Sequence, residues 1–474
     1  MMQNRIYIKD LKDNVGKEIM IAGWVDVRRD QGKMVFFDMR DMSGKVQCVV
    51  LPNRAGLPAK DLGAFALGDI GQGTHDAENL SLGDIAKQIR PEWVVKITGI
   101  VNKRPDKNIK ADVLNGDVEL EVVGIEVLAK AEELPFDMSL EGYNLELVTE
   151  LDNRALVLRH PKVQAVFKIQ ETIIDSFREF MKKNNFFEFQ APSIVPATAE
   201  GGAEVFHVDY FGKKAYLSQS PQLYKQIVMT AFEKVFSVNK IFRAEPSTTT
   251  RHLTEVVSLD AEWAFIDSWK DIRDMIDLTI KYILEQVQAK NAEHLRLLKV
   301  ELPKMIDSTP TMSLTEAQNK IFEVYKRDNR GDKDLSSQDE LEICEIIKKE
   351  TGSDFVFVYG FPTRQKPFYV FPSEENPEFN EGVDLLCRGR ELLSGGRRIN
   401  KYDQLMDHVE KWKMDPQKIK MFLEAFKYGV APEGGFAFGA ERITMQFLEL
   451  KNIREASMFP RDMERIDERF STQE

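Results

Sequence analysis

Phe242-Arg243-Ala244-Glu245, followed one short loop later by Arg251-His252-Leu253 and then by Ser258-Leu259-Asp260-Ala261-Glu262, is the stretch on which the reading of this 474-residue chain turns. It has the pattern of two strands joined by a polar loop. Side chains two apart in a strand share a face, so Arg243 and Glu245 are expected to enter one pocket together, a fixed cation beside a fixed acceptor. That pair suits a nucleotide, with Arg for an α-phosphate and Glu for a base amine. Arg251 and His252, in the loop, are placed to reach outer phosphates. In isolation the same letters describe an exposed strand with a cross-strand salt bridge, so the company they keep decides the matter.

Three further clusters supply that company. Gly435-Phe436-Ala437-Phe438-Gly439-Ala440-Glu441-Arg442 reads as a strand running into a helix. Its small residues let a ligand approach the backbone, and Arg442 in the first helical turn adds to the anion preference of a helix N-terminus. The stretch from Asp384 to Arg398 carries Asp384 and Glu391, hard oxygen ligands suited to Mg²⁺, and Arg398, a planar fork for a carboxylate. Gln219-Ser220-Pro221-Gln222-Leu223-Tyr224-Lys225-Gln226 opens a helix with Gln222 and Lys225 three apart on one face. Each has an ordinary structural reading: a glycine-rich turn, a solvated charged hairpin, a solvent-facing lysine.

Composition bounds the possibilities. Apolar residues make up 43% and charged residues 30% of the chain, the balance of a globular protein with room for more than one domain. A net charge of −12 argues against a simple basic coat for nucleic acid while leaving room for a local basic face. Cys48, Cys344 and Cys387 are too few and too scattered for a disulfide framework or a cysteine zinc site. No charge-free run is long enough to span a bilayer, so a soluble cytoplasmic protein with no membrane partner is expected.

Along the chain, short strands are predicted at 18–27, 34–40, 46–51, 93–101 and 118–127, which suggests a small β-barrel of the oligonucleotide-binding (OB) kind over residues 1–130. A Gly/Asp/Ala-rich stretch at about 59–91 interrupts it, with a short helix near 82–88. Residues 131–155 read as a hinge. From 156 to 474 longer helices mix with strands: helices at 162–185, 221–232, 269–290, 340–351, 404–410 and 416–427, strands at 235–243, 254–265, 355–359 and 382–388. Without regular β-α-β alternation, the expectation is an α+β chain whose second domain has a mainly antiparallel sheet flanked by helices.

The order and identity of these clusters resemble the class II aminoacyl-tRNA synthetases with an N-terminal anticodon-binding barrel, and within them the aspartyl branch of compact archaeal and eukaryotic type. Almost the whole chain is covered. A long helix followed by Phe187-Glu188-Phe189-Gln190-Ala191-Pro192 is similar to the family's first motif, at a dimer interface; 242–262 is similar to the second and 434–442 to the third. The resemblance implies ATP-dependent activation of L-aspartate and its transfer to tRNA(Asp), with tRNA(Asn) left open, by a homodimer using Mg²⁺. It implies Arg243 on the α-phosphate, Glu245 on adenine, and Arg251 and Arg442 on the outer phosphates, with Ala244, His252, Leu253, Gly439, Ala440 and Glu441 lining the ATP site. Glu391, Ser394 and Asp384 would hold Mg²⁺. Glu200 would take the substrate amino group, Lys225 and Arg398 its side-chain carboxylate, with Gln222, Leu223, Tyr224 and Ser394 assisting. In the barrel Phe36 would stack on the middle anticodon base, Gln47 read its edge and Arg28 add a contact.

Two departures from the family pattern stand out: Val256 where an aromatic commonly stacks on adenine, and Arg397 where Gln commonly precedes the substrate Arg. The competing readings are an asparagine-specific relative, a tRNA-independent ATP-dependent amide synthetase on the same fold, and a non-catalytic RNA-binding protein. The barrel argues against the second and the Arg243, Glu391, Arg442 set against the third.

Overall fold

The computed structural model describes residues 4–31, 34–51, 81–110, 114–197, 205–246 and 249–470. Most of the interruption expected at 59–91 therefore lies outside the described residues, as does Glu200. The chain divides into two compact units, Met1–Asn144 and Leu145–Glu474.

In the first unit β1 (Glu18–Gln31), β2 (Met34–Asp41), β3 (Gly44–Val50), β4 (Val94–Lys103) and β5 (Val118–Ala129) close into a barrel in the order β1-β2-β3-β5-β4. Period-2 alternation sends Ile21, Val25, Val35, Phe37, Met39, Val95, Ile97 and Leu120 inward, and helix α1 (Leu82–Gln88) caps that core with Leu82 and Ala86. A Ser81–Asp84 capping box starts α1.

The second unit begins with α2 (Leu147–Asp152), α3 (Arg154–Val157) and the long α4 (Pro161–Lys183). There follow β6 (Phe187–Glu188), β7 (Ile194–Val195), β8 (His207–Tyr210), β9 (Lys213–Leu217), α5 (Gln222–Phe232), β10 (Lys234–Phe242), β11 (Glu255–Ala264), α6 (Trp269–Lys290) and α7 (Ala292–Leu298). The remainder is β12 (Thr311–Ser313), α8 (Leu314–Tyr325), α9 (Ser337–Thr351), β13 (Phe355–Tyr359), β14 (Gly382–Cys387), β15 (Arg390–Arg398), α10 (Tyr402–Lys411), α11 (Lys420–Lys427), β16 (Glu433–Gly439) and α12 (Ala440–Phe447). Eight strands form one sheet in the order β12-β13-β14-β15-β16-β11-β10-β6, and β7-β9-β8 form a small second sheet. All pairings in the large sheet are antiparallel except the two outermost, β12 with β13 and β6 with β10.

The apolar stripe of α4 explains why it lies where it does. Val166, Ile169, Ile173, Phe177 and Met181 recur at helical spacing and bury against Phe236, Leu259 and Phe438 of the sheet. Phe177 meets Phe236 and Phe438 edge-on, with ring centroids 5.8 and 5.5 Å away. Helix α6 covers the same side with Ile272, Ile276, Ile280 and Ile283. Helices α8 and α9 form a separate cluster with Val356, Val358 and Leu386.

Two expectations need correcting in detail. Strand β10 ends at Phe242, so Arg243 and Glu245 lie just beyond it, although Arg243 N–H still donates to Thr254 O at 2.9 Å and prolongs the ladder by one pair. The strand expected at 382–388 ends at Cys387, and Arg388-Gly389 form the two-residue turn of a tight β14–β15 hairpin, with positive φ at both positions (47° and 84°), the conformation that matches strand twist.

Candidate active site

Alternation along the central strands builds the site. Leu259, Ala261 and Trp263 of β11 enter the core, so Ser258, Asp260 and Glu262 face the other way. Phe436 and Phe438 of β16 enter the core, leaving Gly435, Ala437 and Gly439 on that same side. β15 sends Leu393 to the core and Ser394 and Arg398 to the site. The result is a cavity of about 260 Å³ on the open face of the sheet, whose lining includes Gln222, Lys225, Arg243, Glu245, Arg251, His252, Leu253, Glu391, Ser394, Arg398, Gly439, Glu441 and Arg442. The four sequence clusters thus converge on one pocket. The motif-two pair enters it together, from the segment after the strand.

The floor of this cavity is a dry ionic cluster. Lys225, 1% exposed, places its Nζ 3.0 Å from Glu262 Oε2 and 3.2 Å from Asp260 Oδ1. Arg398 Nε donates to the other Glu262 oxygen at 2.8 Å, and its Nη2 donates to Gly435 O at 3.1 Å. Gln222 donates to Gln226 at 3.0 Å, and Gln226 donates to Glu433 at 2.8 Å. Burial pushes the Glu262 carboxyl up, but Arg398 and Lys225 outweigh it and leave the group below its ordinary value. Glu433 goes the other way: burial, reinforced by Glu262, pushes it well above the carboxylate range. Lys225 and Arg398 line the cavity, whereas Asp260, Glu262 and Glu433 do not, so the cations stand in front of their counter-ions.

The small residues of β16 have a different cause from the one their pattern suggests. A Cβ on Gly435 would sit 2.1 Å from Ala261 O and 2.2 Å from Glu262 Oε2. That glycine makes room for the protein's own carboxylate. Of the β16 glycines only Gly439 lines the ligand space, beside Ala437.

The outer end of the cavity is wetter. Arg442 Nη1 lies 3.7 Å from Glu391 Oε1, with both side chains about one-third exposed. Arg251 Nη1 lies 3.5 Å from Glu340 Oε2 of α9. Burial, then the nearby Glu391, pushes Glu340 up to about 7. Burial depresses His252 against the opposing pull of Glu245, and Arg442, Arg251 and Arg243 add to the fall, which favours the neutral ring. Val256 lines the cavity and packs against Leu253, Met445 and Ile453, apolar material where a ring was missing from the sequence.

A metal at this end has a partial donor set. Glu391 and Ser394 offer hard oxygens to the cavity and fit Mg²⁺, which keeps water and phosphate ligands and needs few from protein. Asp384 does not join them, because both its oxygens accept from Lys366 Nζ, at 2.7 and 2.8 Å. Burial pushes Asp384 up to about 6 against the pull of Lys366, and Asp384 in turn holds the buried Lys366 above its ordinary value. Among the described residues no three His, Cys, Asp or Glu side chains gather into a metal site.

Other expected residues fall elsewhere. Leu223 and Tyr224 point to a small apolar cleft under α11, one helical face away from Gln222 and Lys225. Ala440 is buried in the core and Ala244 does not line the cavity. Arg397 lies on the opposite face from Arg398, 3.4 Å from Glu381 and over the Phe371 ring at 4.0 Å, and does not line the cavity. In the barrel, Phe36 alternates outward from the buried Phe37 and shares a face with Asp38 and Gln47. Arg28 is not on that face: it donates to Ile89 O at 3.0 Å and to Lys87 O, the free carbonyls at the end of α1. Arg29, paired across from Phe36, stands beside it instead, 3.0 Å from Asp38.

The sequence reading missed Asp260, Glu262, Gln226, Glu433, Lys366 and Glu340. For the first two a signal was present: carboxylates at i and i+2 in an otherwise apolar central strand must share a buried face and therefore need cations.

Residues 146–463 match the family of class II tRNA synthetases (D, K and N), and residues 19–128 match the OB-fold nucleic acid binding domain. The chain is 37% identical to an aspartate–tRNA(Asp/Asn) ligase of Archaeoglobus fulgidus, over 98% of this chain and 99% of that protein. It is 35% identical to an aspartate–tRNA(Asp) ligase of Pyrococcus abyssi, over 95% and 96%. The crystal structure of asparaginyl-tRNA synthetase from Pyrococcus horikoshii complexed with asparaginyl-adenylate superposes with a TM-score of 0.85 at 30% identity, covering 98% of this chain and 100% of that one. With an OB barrel followed by a mainly antiparallel sheet that brings the second and third motifs into one cavity, the chain belongs to the class II aminoacyl-tRNA synthetases of the D, K and N group.

Proposed function

We propose that this synthetase is an aspartate–tRNA ligase, joining L-aspartate to AMP at the expense of ATP and then to the 3′ end of tRNA. The layering of the floor carries the reading. A substrate side chain entering the cavity meets Lys225 and Arg398 first, and their counter-carboxylates lie behind them. A carboxylate can take donors from both, whereas an amide turns a donor toward cations that cannot accept.

The chemistry then follows from position. Arg243 and Arg442 draw negative charge away from the α- and outer phosphates, Glu245 accepts from the base amine, and the floor holds the amino acid so that its α-carboxylate attacks the α-phosphorus as pyrophosphate leaves. Mg²⁺ held by Glu391 and Ser394 would neutralise phosphate charge. No side-chain nucleophile is needed. Glu200 is the proposed partner of the substrate amino group. Phe36 and Gln47, facing outward together, suit stacking on a base and reading its edge. An exposed stacked pair, Phe187 on Phe232 with centroids 4.1 Å apart, gives the proposed homodimer an aromatic seam beside the first motif. The cysteines are free and buried, which suits the cytoplasm, and among the described residues no helix is long and apolar enough to cross a membrane.

Asparagine is the competing substrate, because the floor cations are already paired. Pyrophosphate exchange with aspartate and with asparagine decides between them: aspartate-dependent exchange is expected, and exchange with asparagine alone overturns the assignment. Charging of tRNA(Asp) and tRNA(Asn) with labelled aspartate then sets the tRNA range. Phe36→Ala is expected to weaken tRNA binding by about 1–3 kcal/mol, the worth of one base–aromatic stack, and to leave exchange intact.

A further inference from the structure

Behind the outer end of the cavity lies a residue that the family motifs and the nucleotide contacts leave without a role. Glu340 is in the first turn of α9, outside the three motifs, and does not line the cavity. Its side chain is only 13% exposed. It touches two elements that do line the cavity: the Arg251 guanidinium, 3.5 Å away, and the backbone amide of Glu391. Arg442 and Arg390 complete its surroundings, with Arg390 Nη1 buried and making no hydrogen bond. α9 itself is fixed by packing on β13, β14 and β15, and Gly389 in the β14–β15 turn fits so tightly that a Cβ there would meet Leu341 at 2.7 Å. Glu340 therefore projects from a rigid support.

The two residues it touches come from different parts of the chain. Arg251 closes the motif-two loop, and Glu391 opens β15 just after the turn. We propose that Glu340 is a positioning residue for the ATP outer-phosphate subsite, holding the Arg251 side chain and the Glu391 main chain at a fixed separation before the nucleotide arrives. The inference rests on the ATP-dependent activation proposed above. A guanidinium on a loop loses several rotatable degrees of freedom when it grips a phosphate, and an anchoring carboxylate on a rigid helix removes part of that loss in advance. Glu340 also brings negative charge toward the phosphates, which opposes binding. Positioning outweighs this, because Arg251, Arg390 and Arg442 outnumber the two carboxylates of the cluster and leave it net positive.

The test is steady-state pyrophosphate exchange with Glu340→Gln, Arg251→Ala and the double variant, beside thermal melts of each. Glu340→Gln keeps the side chain's length and its acceptor for the Glu391 amide and loses the ion pair. The expected result is an ATP KM raised about fivefold, the worth of one partly buried ion pair, with aspartate KM and Tm unchanged. In the Arg251→Ala background the same substitution is expected to add nothing, since the group it positions is gone. An unchanged or lowered ATP KM in a stably folded Glu340→Gln overturns the proposal, and so does a full additional effect in the double variant. Should Glu340→Gln melt early, Glu340→Asp, which keeps the charge and withdraws it, must show the same ATP-specific defect. Wild-type enzyme without aspartate-dependent exchange would instead defeat the proposed function.

Discussion

The floor and the outer rim of the cavity hold nearly the same residue types in opposite regimes. On the floor Lys225, Asp260, Glu262 and Arg398 are at most 5% exposed and every contact is short and fixed. On the rim Arg251, Arg442 and Glu391 are 29%, 31% and 38% exposed, and their ion pairs span 3.5 and 3.7 Å. The difference fits the two ligands. A small amino acid is selected by groups already desolvated and aimed, so that a wrong side chain leaves buried charge unmatched. A triphosphate brings its own charge and metal and must also leave as pyrophosphate, which calls for pairs loose enough to exchange partners.

Removing one floor cation should have the largest effect. Lys225→Met leaves Asp260 and Glu262 facing each other in a dry site, at a cost of about 3–5 kcal/mol in folding stability together with loss of aspartate-dependent exchange. Lys240 on the neighbouring strand is the control: it is half exposed and 2.9 Å from Glu255, and Lys240→Met should change stability by less than about 0.5 kcal/mol. Equal melting shifts for the two would erase the distinction between floor and surface. At the rim, Arg442→Gln should leave Tm nearly unchanged and weaken ATP binding by about 1.5–3 kcal/mol, the value of hydrogen bonds to a charged group. Its ATP KM should also respond less steeply to added salt than the wild type's, because a screened charge has been removed. A fall in Tm as large as that of Lys225→Met would place Arg442 with the floor.

How much of this was legible beforehand follows the same division. Contacts set by local period could be read from sequence: the inward Ile169-Ile173-Phe177 stripe, and Gln222 with Lys225 on one helical face, whereas the outward Phe36 was given by the family resemblance alone. Contacts set by sheet order could not. Glu262 meets Arg398 because β15, β16 and β11 lie side by side, and Glu433 meets Gln226 because α5 packs onto that sheet, arrangements that no spacing within a strand announces. Lys366 was invisible for a related reason: it lies in irregular chain before β14 and reaches Asp384 by tertiary folding alone. Arg28 failed because its strand carries a bulge between Val25 and Val27, which shifts the register by one and turns Arg29 toward Phe36.

Glu441 tests the boundary between the regimes, being as buried as the floor yet adjacent in sequence to Arg442. Its oxygens accept from Val257 N–H at 3.0 and 3.2 Å, filling the place that β16 vacates on β11 as it turns into α12. Unlike Glu262 it makes no ion pair among the described residues, and burial, which outweighs the pull of Lys240, pushes it up to about 7. An acid whose folded value is raised favours the folded state while protonated, and that contribution is lost as pH rises through about 7. Between about pH 6 and pH 8 the loss amounts to about 1 kcal/mol. Glu441→Gln keeps the acceptor for Val257 and cannot ionise, so the variant should gain on the wild type by that amount over this range. Asp384 and Glu340 also lose stabilisation as pH rises, in both proteins alike. The quantity to measure is therefore the difference between the two melting curves against pH. A difference that stays flat would mean that Glu441 is ionised throughout and is matched by charge as the floor carboxylates are, which would move the boundary past Arg442.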